Sequence, residues 1–101
     1  MSVMPTANLK AWSIVGNINF DTVLALREQG NLLIEKHAGP LNFDFSQVKN
    51  GNSCSLALIL TWLRHAKKHN KQLRFREIPS SLLRISEICG VWELIQENVS
   101  L

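Results

Sequence analysis

Long apolar runs are missing from this chain. The longest, Leu56 to Leu60, has five residues, far short of the ~18 that make a membrane span, so no direct membrane insertion is expected. Met1 to Ala11 has no charged start followed by an apolar core, so no secretory signal is read there. Cysteine is scarce. Cys54 and Cys89 lie far apart and outside any CxxC pair, which points to free thiols in a reducing compartment and to a cytoplasmic protein. No glycine-rich phosphate loop and no triad-like set of side chains occurs, so catalysis and a cofactor are not expected. Internal repeats and low-complexity segments are also absent. Neither sign of charge dominates: 11 Lys and Arg stand against 8 Asp and Glu, a net charge of +3. That tolerates an acidic partner without demanding one.

What is present suits one globular domain. The 101 residues are 46% hydrophobic and 19% charged, ordinary values for a chain that folds on its own core. The expected domain is 1–101, with a core over about 11–95, a loose lead-in and a C-terminal tail. Ala11 to Gly16 reads as a short strand. Val23, Leu26, Gly30 and Leu33 have helical spacing, with Asp21 as N-cap candidate and Gly30 as a point of kinking. Leu41 to Val48 alternates as a strand, and Asn50-Gly51 suits a turn with positive φ. Leu56, Ile59, Leu60, Leu63 and Ala66 form one helical stripe behind an N-cap at Asn52 or Ser53. Lys71 to Ile78 alternates again. Ser80 caps a short helix that Gly90 ends, and Val91 to Ile95 is a last short strand or helical turn. This β, α, β, α, β, α order calls for a mostly parallel β-sheet of about four strands flanked by helices.

Phe43-Asp44-Phe45-Ser46-Gln47-Val48, a polar loop, Ser53, and a Leu-Ala-Leu-Ile-Leu helix ending in Ala66-Lys67-Lys68-His69-Asn70 resemble the central block of STAS domains. Those domains are shared by anion transporters and anti-sigma-factor antagonists. Ile14 to Val23 resembles the family's opening strand, glycine turn and first helix, and the likeness spans roughly Trp12 to Ile95. The isolated domain and the Ala-Lys-Lys ending resemble one branch in particular, the STAS subunit of the Mla-type ABC system for intermembrane phospholipid transport. The resemblance implies an α/β fold of the anti-sigma-factor-antagonist type. It also implies a non-enzymatic accessory subunit that binds and regulates the transporter's ATPase, beside its permease, peripheral to the inner membrane. A homodimer is left open.

The family's strand-to-helix signature, Asp-Ser/Thr-Gly or a one-residue variant followed by Leu, reads here Asn52-Ser53-Cys54-Ser55-Leu56. Ser53 matches the hydroxyl position, and Asn52 replaces the acid. The resemblance implies a docking surface at Asn52, Ser53, Cys54, Ser55 and Leu56, with Asn17 and Asn19 in the loop near Gly16 to Phe20, and with Asp44 orienting the junction. An alternative is a signalling switch phosphorylated on Ser53. A phosphate at a helix start meets free N–H groups and the positive end of the dipole.

Several residues carry a plainer reading. Ser53 as a helix cap and Asp44 as a solvated or turn-capping carboxylate are the ordinary alternatives. Cys54 has no catalytic base beside it. His65 and His69 share a helix face, but a zinc site takes three or four protein ligands. His37 and the cysteines lack matching spacing and lysines surround the pair, so no metal is expected. Arg64, Lys67, Lys68, Lys71, Arg74 and Arg76 are divided between a helix end and a strand face, which argues against a nucleic-acid surface. Trp62 lies off the stripe and is read equally as core or as interface anchor.

Overall fold

Alternation along the strands decides which face of the sheet is buried. In Leu41–Asp44 and Leu73–Arg76, Leu41, Phe43, Leu73 and Phe75 are buried, while Asn42, Asp44, Arg74 and Arg76 between them are partly or fully exposed. The two strands pair in parallel with Leu41 opposite Leu73 and Phe43 opposite Phe75, so their apolar residues share one side. The computed structural model describes residues 2–5, 12–37, 39–48 and 51–100.

Five strands form one sheet in sequence order: β1 (Ser2–Pro5), β2 (Trp12–Val15), β3 (Leu41–Asp44), β4 (Leu73–Arg76) and β5 (Val99–Ser100). β1 runs antiparallel to β2, and the remaining neighbours are parallel. The connections carry α1 (Val23–Lys36), α2 (Ser53–Lys68), and then α3 (Ser80–Ile88) with α4 (Trp92–Ile95) and a 3₁₀ turn at Gln96–Asn98. The mostly parallel α/β architecture is the one the sequence order calls for.

The differences lie at the ends and at the caps. The lead-in read as loose contributes β1, and the tail contributes β5. Neither segment alternates over enough residues to stand out in sequence. Of Val91 to Ile95, left between strand and helix, Trp92–Ile95 is helical and Val91 is its N-cap residue. β3 stops at Asp44, not Val48, because the Asp44 carboxylate accepts the Ser46 N–H at 2.7 Å and turns the chain. Asp21 does not cap α1. The N-cap position of that helix is Thr22, with no side-chain cap bond, and Asn19 closes the turn before it: its Oδ1 accepts from the N–H groups of Asp21 (2.8 Å) and Thr22 (3.1 Å). Ser80 is the first residue of α3, whose N-cap position is Pro79. Gly51 does not take positive φ, whereas Gly16, Gly39 and Gly90 do. Its lack of a side chain serves closeness instead: a Cβ there would lie 2.6 Å from Leu82 Cβ.

The core is centred on Trp62. It is fully buried, so the interface reading for this residue is wrong. Its ring meets Phe43 edge-on at 4.7 Å between centroids, a favoured aromatic geometry. The indole N–H donates to the Arg27 carbonyl at 3.3 Å. The buried stripe of α2 is consequently Leu56, Leu58, Ile59, Trp62 and Ala66, with Leu60 and Leu63 only partly covered. Gly30 does not break α1, which runs unbroken through it. A Cβ at Gly30 would stand 2.2 Å from Trp62 Nε1, so the glycine makes room for the indole.

That contact sets the sign of one substitution. Gly30→Ala gains about 1 kcal/mol of helix propensity, but overpacking a filled core costs about 1–3 kcal/mol. The ring cannot retreat, being held by Phe43 and by the Arg27 carbonyl. Urea unfolding should show a net loss of about 1 kcal/mol or more, and a gain would overturn this account of Gly30.

Candidate functional site

Parallel strands place the loops that follow them along one edge of the sheet, where open α/β folds bind their ligands. Here that edge carries the segment from Gly16 to Thr22 after β2, the segment leading to α2 after β3, and Glu77 to Pro79 after β4. Glu77 turns the chain with a φ of 56°, a value few side chains adopt.

Asn52 joins the first two segments. Its Nδ2 donates to the Ile18 carbonyl at 2.8 Å, and its Oδ1 accepts the Ser55 N–H at 2.9 Å. The Ser55 hydroxyl also reaches Oδ1, at 3.3 Å. Asn52 is thus the N-cap of α2, and Ser53 is released from that duty. The third segment is drawn in from the far side, where the Gly51 N–H donates to Ser81 Oγ at 3.0 Å.

The loop after β2 is held by its own bonds. Thr22 Oγ1 donates to the Asn17 carbonyl at 2.7 Å and accepts the Asn19 N–H at 3.0 Å. Ile18 points inward and is buried, while Phe20 is thrown outward and is 87% exposed. Leu24, in the first turn of α1, is also exposed, at 58%.

The residues named from sequence therefore divide by burial. Ser53, Asn17 and Asn19 are exposed, and Asn52, Cys54 and Asp44 are partly so. Ser55 and Leu56 are buried, which leaves them to hold the corner from inside. Asp44 caps its own turn through Ser46. Phe20 falls within the loop expected to dock, although no alternation or spacing marks it as exposed. The Ser53 corner lies open at the surface and is not sealed within the molecule.

At the opposite end, the histidine pair gains a neighbour that spacing could not reveal. Glu35 of α1 places Oε2 3.1 Å from His65 Nε2, and Glu35, His65 and His69 offer one ligand atom each within 4.8 Å of one another. No sequence-named docking residue lines the open groove between Leu60, Leu63 and Lys67 of α2 and Leu94 of α4. Among the described residues, no helix is long and apolar enough to cross a membrane.

Asn52 substitutions separate its two bonds. Asn52→Ala removes the cap and strands the Ile18 carbonyl, a combined loss of about 2 kcal/mol in urea unfolding. Asn52→Asp keeps the acceptor for the Ser55 N–H but cannot donate to Ile18. Hydrogen exchange should quicken in 17–22 while the first turn of α2 stays protected. Equal exchange in both segments would contradict the bridging role.

A family model described as the Mlab STAS domain matches residues 8–96. No curated protein matches the chain. Among solved structures, a chain of the Acinetobacter MlaFEDB complex, in its ATP-bound Vtrans2 conformation, is similar with a TM-score of 0.73 and 28% identity. The match covers 91% of this chain and 93% of that one. With most of its length matched and with the strand-to-helix corner in place, this chain belongs to the Mlab-type STAS domain family.

Proposed function

We propose that this domain is a non-enzymatic accessory subunit that binds and regulates the ATPase of an Mla-type ABC transporter for intermembrane phospholipid transport. It works on the cytoplasmic side, held at the inner membrane by its partner and not by inserting. The observation that carries this reading is the open corner, where exposed Ser53 is fixed by Asn52 beside the loop that presents Phe20. An aromatic ring on a braced loop, flanked by polar groups, is the composition of an interface anchor with its rim. The likeness to a chain of the MlaFEDB complex supports the identity of the partner.

The mechanism needs no chemistry from the domain. It stabilises whichever arrangement of the ATPase it contacts better, and it shifts the equilibrium only by that difference in affinity. A braced corner suits the task, since little order has to be acquired on binding.

The test is recovery of an ATPase with its permease when the chain is used as bait on native membranes. Ser53→Glu and Phe20→Ser should each weaken recovery by about tenfold or more, the scale of an interface hot spot. Lys67→Glu, on the far end of α2, should leave recovery unchanged. Equal effects of the three changes would reject this surface.

A phosphorylated switch at Ser53 is the second reading. It is favoured by one fact: Asn52 caps α2, so the Ser53 hydroxyl is available. Stoichiometric phosphoserine in protein purified from its own cells would favour that reading over a constitutive subunit.

A further inference from the structure

The geometry points to a transition-metal site at Glu35, His65 and His69, taking a zinc-like divalent ion that fastens the C-terminal end of α1 to that of α2. His65 lies in the last turn of α2, and His69 occupies its C-cap position. The two stand one helical turn apart, with ring centroids at 4.5 Å. Glu35 is the penultimate residue of α1. Two imidazoles and a carboxylate suit zinc, nickel or copper, and exclude magnesium, which takes oxygen donors.

Distances favour this reading. Bonds of about 2.05 Å to a tetrahedral ion set its donors about 3.3 Å apart. Glu35 Oε2 and His65 Nε2 already stand at 3.1 Å, and all three ligand atoms lie within 4.8 Å of one another. Small side-chain rotations complete the triad, and water fills the fourth position. His65 ligates through Nε2 as the neutral imidazole with its proton on Nδ1, Glu35 ligates as the carboxylate, and no redox change is involved.

Charge is the objection raised by Lys36, Arg64, Lys67 and Lys68. All four are exposed, so water and salt screen them. Opposing them are the Glu35 carboxylate and the negative ends of two helices that finish together at this spot, which favour a cation. The site lies at the helix C-termini, away from the Ser53 corner at the N-terminus of α2, and is independent of the proposed partner.

The experiment is titration of the untagged, chelator-treated full chain with ZnCl₂, followed by calorimetry and thermal unfolding. One ion per chain, a dissociation constant in the micromolar range and a raised melting temperature are expected, with no response to MgCl₂. His65→Ala, His69→Ala and Glu35→Gln should each weaken binding by about tenfold or more, while Lys68→Gln should not. In the unsubstituted chain, Zn²⁺ should shift the ring resonances of His65 and His69 but not those of His37. Absence of saturable binding, or binding unaffected by the histidine changes, would overturn the site. So would a Glu35→Gln chain that binds as the original does, since a carboxamide is a poor ligand for zinc.

Discussion

The two ends of the Asn52 side chain do different work, and the shape of the candidate surface depends on both. The carbonyl oxygen caps α2 through Ser55, and the amide nitrogen reaches across to the Ile18 carbonyl. A carboxylate could perform only the first task, because it carries no donor. The amide in place of the family's acid thus has a structural consequence: it trades a negative charge at the helix start for a crosslink between two loops. The loop so held has its inner residue, Ile18, locked in the core and its outer residue, Phe20, in solvent. Rigidity at the corner and exposure of the ring have one cause.

A second constraint runs through the body of the domain, where Trp62 is housed by residues from two other elements. Gly30 supplies the space and Phe43 supplies a ring face. This fixes how closely α1 approaches α2, and so fixes where the last turns of both helices end. Glu35 meets His65 because a glycine five residues earlier allows that approach.

Periodicity made the strands, the helices and their order readable, because each is a local pattern one face deep. The resemblance to STAS domains rested on a block long enough to carry strand, corner and helix together. What sequence could not show were pairings between distant residues. Trp62 fell outside the stripe drawn from Leu56 to Ala66, since the stripe assumed a helix buried on one line. In fact α2 is covered on a broader arc by α1 and the sheet. Gly30 read as a weak point for the same reason. At the site, Ser53 and Asn52 were equally good caps by composition, and only coordinates assign the role. Ser55 and Leu56 were grouped with the contact residues by adjacency, though the first turn of a helix faces inward as well as outward. Glu35 lies thirty residues from His65, and nothing local links them.

The margins of the sheet bear on how such a domain keeps to one partner. Its outer strands are β1, four residues long and ending in Pro5, and β5, only two residues long. Proline has no amide hydrogen to give, and two residues form too short a ladder to recruit a newcomer. Along the described residues a stray chain therefore finds little main chain to zip against, and the strands between are already paired on both sides. Growth into polymer by strand addition is discouraged at each border, and encounters are diverted to the loops and helix ends, where side chains can tell one visitor from another.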